Sequence, residues 1–196
     1  MAGAYDPRTA LIVVDVQNDF ADPGGSLYVA DAEAAVAATN AEIAAATAAG
    51  APVVYTQDWH PASTPHFAKD GGTWPVHCVG DTWGAELHPG LTVAGGDRVR
   101  KGTAGEDGYS GFTMVHPTTG ETSPTGLDDL LQERGVEAVV VVGLATDYCV
   151  KETALDAVRL GYATTVVTAG VRPVELEPGD GQRALDALTA AGVALV

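Results

Sequence analysis

Two β-branched stretches of this chain are apolar almost throughout, Ala138-Val-Val-Val-Val142 and Ala10-Leu-Ile-Val-Val-Asp-Val16, broken only by Asp15. A strand with one wet face alternates polar and apolar residues, so an unbroken run must be covered on both faces. That is the condition inside a parallel sheet flanked by helices. Pro52–Thr56, Asp97–Arg100, Ala163–Thr168 and Val193–Val196 read as further strands. Between them, Asp31–Ala49 is alanine-rich, starts at an Asp suited to capping and stops at Gly50. Ser123–Arg134, Cys149–Leu160 and Asp180–Ala191 also read as helices. The alternation predicts an α/β fold, three layers α-β-α, with a mostly parallel central sheet of about six strands. With 196 residues and 46% hydrophobic content, one domain over 1–196 is expected.

Charge narrows the partners. A formal net charge of −16 repels nucleic acid phosphates and anionic headgroups, so neither nucleic acid nor membrane is expected. No apolar stretch reaches the roughly 18 residues of a membrane span, and the N-terminal residues lack the basic start and apolar run of a signal peptide. Two cysteines, Cys78 and Cys149, cannot build a multi-bridge framework. The expectation is a soluble, reduced, cytoplasmic protein acting on a small molecule; a homo-oligomer is compatible with it. Glycine pairs at 24–25, 71–72 and 95–96 match no phosphate-cradling motif and read as turns.

In an open parallel sheet, ligands bind beyond the carboxyl ends of the strands. Here those ends carry Asp15, then Asp58-Trp-His60, then Lys101-Gly102, then Cys149. Each alone has an ordinary reading, as a turn cap, a surface pair, a solvated charge or a packed thiol. Asp15, however, lies within the apolar run Leu11–Val16 and needs a partner, for which Lys101 is the nearest candidate. A cysteine where a strand turns into a helix meets free N–H groups and a dipole that favour the thiolate and bind an oxyanion. Packing alone does not explain four such groups on one rim.

The non-periodic stretch from His60 to Gly96 adds a second cluster. His60, His66 and His77, with Asp58, form a donor mix suited to one divalent ion, Zn²⁺, Fe²⁺ or Mn²⁺. Asp58 and His60 are two residues apart, so an extended backbone puts them on one side. His88 and His116 fall outside this pattern and read as loop residues. Cys78 reads as a packed hydrophobe.

Taken together, Ala10-Leu-Ile-Val-Val-Asp15-Val-Gln-Asn-Asp-Phe20, Thr56-Gln-Asp58-Trp-His60, Trp74-Pro-Val-His77-Cys78, Lys101-Gly, Tyr109-Ser-Gly-Phe112 and Gly143-Leu-Ala-Thr-Asp-Tyr-Cys149-Val resemble the nicotinamidase branch of the isochorismatase-like hydrolases. The segments are spread over most of the chain in the family's order, and the set is far more specific than any member of it. The resemblance implies hydrolysis of nicotinamide, and of pyrazinamide, through a thioester, with a product that feeds NAD salvage. By matched motif it makes Asp15, Lys101 and Cys149 the catalytic triad. It gives the metal to Asp58, His60 and His77, with His66 at a variable fourth position. Phe20, Trp74 and Tyr109 would wall the aromatic ring. The Leu144–Ala145 peptide would be cis, with the N–H groups of Ala145 and Cys149 as oxyanion hole. The chain departs from the pattern in the segment from Lys101 to Tyr109, which is a residue longer, in Ala21, where some members carry cysteine, and at the variable Tyr148. A related amidase acting on a carbamoyl or ureido substrate would share the triad, and the metal set and aromatic wall favour nicotinamide. An isochorismatase proper lacks the cysteine, and an inactive binding relative would have lost part of the triad.

Overall fold

The computed structural model describes residues 4–196; Met1–Gly3, at the start of the N-terminal segment read above, lie outside them. Strand β1 (Thr9–Val14) pairs in parallel with β2 (Val53–Asp58) on one side. On its other side it pairs in parallel with a strand late in the chain, β6 (Ala138–Leu144). Outside β2 lies β3 (Asp97–Lys101); outside β6 lie β7 (Ala163–Arg172) and β8 (Ala194–Leu195). The order β3-β2-β1-β6-β7-β8 runs one way from β1 and then the other, which puts the topological switch point between β1 and β6. The expected six-stranded parallel sheet is present.

The apolar runs are covered as their composition requires. Helix α2 (Ala32–Ala48) lies over one face, where Leu11, Val13, Val53, Val140 and Val142 meet Ala35, Ile43 and Ala46. Helices α3 (Leu127–Glu133), α4 (Lys151–Arg159) and α5 (Asp180–Ala190) cover the other, packing Leu127, Leu131, Ala154 and Leu188 on Ile12, Val14, Val141 and Val166. Gly143 pairs with Val14 in β6 at φ +114°, and a Cβ there would lie 2.0 Å from the Val14 carbonyl oxygen. Glycine therefore lets β6 turn away beside β1 without a clash.

The structure corrects three local expectations. Asp31 flanks α2 but sits at φ 60° with no capping bond, and its carboxylate instead meets Arg172 at 2.8 Å. The segment expected to be helical from Ser123 begins as strand β5 (Thr122–Pro124), paired antiparallel with β4 (Thr113–Val115). Pro124 and the left-handed Gly126 delay α3 to Leu127. Cys149 lies in a wider π-helical turn, Thr146–Val150, that leads into α4 at Lys151. A short helix α1 (Asn18–Ala21) after β1 was not expected.

Candidate active site

The carboxyl ends of β1, β2, β3 and β6 meet around one buried ammonium. Asp58 and Lys101 are register partners in the parallel ladder, so their side chains leave the sheet on the same side. Lys101 Nζ lies 2.6 Å from Asp58 Oδ1, 2.6 Å from Asp15 Oδ2 and 3.7 Å from Cys149 Sγ, and also donates to the Gly108 carbonyl. Asp15 follows the last residue of β1 at φ 48°, a left-handed conformation that swings its carboxylate inward. The Thr56 hydroxyl donates to Asp15 Oδ1 at 2.6 Å and accepts the Asp15 backbone N–H at 3.2 Å. Oxygens of Asp15 and Asp58 and the Cys149 sulfur lie within 4.8 Å of one another. The cation that holds this group together is the lysine side chain.

Burial sets the protonation states. It pushes the Asp15 carboxyl up to about 6, against the pull of Lys101. Burial also works against ionised Asp58, but Lys101, His60 and His77 outweigh it and hold that carboxyl well below its ordinary range. For Lys101 burial is likewise overcome, here by Asp15, Asp58 and Cys149, and the ammonium stays charged. At Cys149 the influences oppose one another. Burial raises its thiol well above the usual value, Lys101 offsets only part of this, and the two carboxylates add to it.

The histidines form the second half of the site. Ring nitrogens of His60, His66 and His77, all buried, lie within 4.8 Å of one another. Asp58 Oδ2 faces them, 3.8 Å from His60 Nε2 and 3.9 Å from His77 Nε2. Neither ring nitrogen of His60 has a hydrogen-bond partner among the described residues. Buried imidazole nitrogens without partners, aimed at two further imidazoles and a carboxylate, are donors that fit a divalent ion. Burial keeps His66 and His77 neutral, the latter down to about 4, as a ligand requires. Lys101-Gly has a physical reason here: Gly102 stands at φ +73°, and a Cβ would lie 2.5 Å from the His60 ring.

The two halves face a common cavity lined by Phe20, Leu27, Asp58, His66, Trp74, His77, Gly108, Tyr109, Leu144, Ala145, Tyr148, Cys149 and Val174. All three expected aromatics are there; Trp74 Nε1–H donates to the Tyr109 hydroxyl at 2.8 Å, and burial pushes that phenol up to about 12. The Leu144–Ala145 peptide is cis. His116 accepts backbone N–H groups in its own turn, and His88 lines a separate cleft. Cys78 is fully buried in the core. Sequence reasoning gave Gln17 no role, yet its side-chain amide grips Asp58 through both backbone groups: Nε2–H donates to Asp58 O at 2.7 Å, and Oε1 accepts Asp58 N–H at 2.9 Å. Leu27 and Val174 were also missed. The Val174 loop is tied to the Cys149 turn by Asp147, which accepts N–H bonds from Val174 and Glu175.

A doubly covered parallel sheet with a buried Asp–Lys–Cys group at its switch point is the architecture of an isochorismatase-like hydrolase. The chain belongs to the isochorismatase family, whose Isochorismatase domain model matches residues 9–196. It is 39% identical over 206 residues to the nicotinamidase of Escherichia coli strain K12, covering 96% of this chain and 94% of that protein. Among solved structures it superposes on L. infantum PnC1 in complex with nicotinate with a TM-score of 0.88 at 34% identity, covering 100% of this chain and 96% of that one. It also superposes on the pyrazinamidase of Pyrococcus horikoshii in complex with zinc with a TM-score of 0.85 at 36% identity, covering 97% and 99%.

Proposed function

We propose that this chain is a nicotinamidase: it hydrolyses nicotinamide to nicotinate and ammonia, and accepts pyrazinamide in the same pocket. The observation that carries the reading is the buried contact of Cys149 Sγ with Lys101 Nζ, beside Asp15, at a cavity walled by Trp74 and Tyr109. The E. coli nicotinamidase and the nicotinate-bound L. infantum protein support it.

In this reading Asp15 takes the Cys149 proton as sulfur attacks the carboxamide carbon. Lys101 holds its positive charge against Asp15 throughout, so the pair of carboxylates tolerates the developing charge. The backbone N–H groups of Ala145 and Cys149 receive the oxyanion; one such donor is worth about 2.7–4 kcal/mol of barrier. Asp15 returns the proton to the departing amine, the C–N bond breaks, and ammonia leaves a thioester on Cys149. Asp15 then takes a proton from water, whose oxygen attacks the thioester, and the sulfur leaves to be reprotonated. Phe20, Trp74 and Tyr109 stack against the ring and exclude bulk water.

Asp58, His60, His66 and His77 would hold one divalent metal ion, a reading that the zinc-bound P. horikoshii relative supports. When bound, it supplies a Lewis acid for the pyridine nitrogen lone pair or for a coordinated water.

Chromatographic assay of purified protein with nicotinamide tests the reading. Nicotinate should accumulate with wild type and not with Cys149→Ala. No nicotinate from metal-loaded wild type would move the substrate to another carboxamide.

A further inference from the structure

Asp107 touches the candidate metal centre and has no part in the reading above. Its Oδ1 lies 2.6 Å from His66 Nδ1, with the two side chains 26% and 4% exposed. It sits on the loop between Lys101 and Tyr109. The loop is held at this point. Asp107 and Val115 exchange backbone bonds of 2.8 and 2.9 Å, seating the residue on β4, and the next carbonyl, Gly108, accepts from Lys101.

A neutral imidazole has one N–H. A carboxylate 2.6 Å from Nδ1 accepts that hydrogen, which leaves the lone pair on Nε2. The three histidines differ in this respect. His77 Nδ1 donates to the Pro75 carbonyl at 2.8 Å, and His60 has no partner among the described residues. His66 alone is backed by a carboxylate. Its ring stacks on His60 at 4.7 Å and meets His77 at 5.3 Å, within the donor cluster.

We propose that Asp107 is a positioning residue that makes His66 a metal donor. It fixes the Nδ1–H tautomer, directs the Nε2 lone pair toward the centre, and places a negative charge behind the ring that strengthens Nε2 as a ligand. The β4–β5 hairpin anchors it through Val115. The proposal rests on the reading of His66 as a ligand.

Zn²⁺ affinity is measured by chelator competition on metal-free wild type, Asp107→Ala, Asp107→Asn, His66→Ala and the His66→Ala/Asp107→Ala double variant, each shown to be folded by circular dichroism. The His66 tautomer in metal-free protein is read by ¹⁵N-histidine NMR. Asp107→Ala should weaken Zn²⁺ binding by about 10–100-fold. Asp107→Asn, whose amide oxygen still accepts the Nδ1–H, should fall between. In the His66→Ala background, loss of Asp107 should change nothing further. Metal-free wild type should show the Nδ1–H tautomer of His66, and Asp107→Ala a mixture. Unchanged Zn²⁺ affinity in Asp107→Ala, an equal loss in both backgrounds, or an Nε2–H tautomer in wild type overturns the proposal. Wild type that binds no Zn²⁺ overturns the metal reading and this proposal together.

Discussion

Lys101 Nζ lies 2.6 Å from one oxygen of Asp58, and the other oxygen of the same carboxylate faces His60 and His77. A single side chain therefore belongs to both the charge cluster around Cys149 and the imidazole cluster. Asp58 is fixed for both tasks by the Gln17 amide, which occupies its backbone N–H and C=O.

Removing the shared cation should be costly to the fold. Lys101→Ala leaves Asp15 and Asp58 buried without their partner, and breaking a buried ion pair from one side costs about 3–5 kcal/mol. Urea unfolding should show a lower midpoint at similar slope. An unchanged midpoint would mean the ammonium is not what balances these carboxylates.

Acid should silence the enzyme before it unfolds it. Asp15 must be ionised to take the Cys149 proton, and burial pushes its carboxyl up to about 6. Turnover should then fall about tenfold per pH unit below that value. The sign for stability is opposite. A folded value above the ordinary ~3.9 means the native state holds this proton more tightly than the unfolded chain, so the stability contributed by Asp15 grows as pH falls from about 6 toward 4. Asp58, held low, contributes stability above the ordinary carboxylate range and loses it only at more acidic pH. A pH–rate profile run beside circular dichroism and metal content should show activity lost near 6 with the fold intact. An acid limb that tracks metal release or unfolding would contradict the role of Asp15.

Gly102→Ala should damage the metal centre selectively. The added methyl meets the His60 ring at 2.5 Å, at a backbone conformation that costs a side chain of order 1 kcal/mol or more. Metal content should fall along with the unfolding midpoint. Full metal loading in this variant would show that His60 has room to retreat without loss as a ligand.

The aromatic wall predicts a different kinetic signature. Trp74→Ala removes a ring that lines the cavity and the donor that holds the Tyr109 hydroxyl. KM for nicotinamide should rise about tenfold or more, in line with the ~1–3 kcal/mol of a lost stacking contact. A fall in kcat with KM unchanged would place Trp74 outside substrate binding.

The sheet was legible because its two central strands, β1 and β6, are apolar along almost their whole length, as a doubly covered parallel strand requires. Asp15, Asp58, Lys101 and Cys149 were legible for a related reason: polar groups at the ends of such strands have one rim to occupy. The β4–β5 hairpin was not, since its strands are only three residues long and are fixed by pairing rather than by a local pattern, including that of Val115 with Asp107. Gln17, Thr56 and Val174 act through contacts tens of residues away, and no local signal marks them. The burial that raises the Cys149 thiol belongs to the assembled site and is marked by no residue near it in sequence.

Covalent catalysis by Cys149 is the centre of this account, and trapping the intermediate tests it most directly. Wild-type protein mixed with excess nicotinamide and quenched in acid within the first turnovers is analysed by intact and peptide mass spectrometry. A mass increase of one nicotinoyl group, located on the Cys149 peptide and absent from Cys149→Ala, is the predicted result. Turnover by Cys149→Ala at the wild-type rate, or an adduct on any other residue, would contradict it.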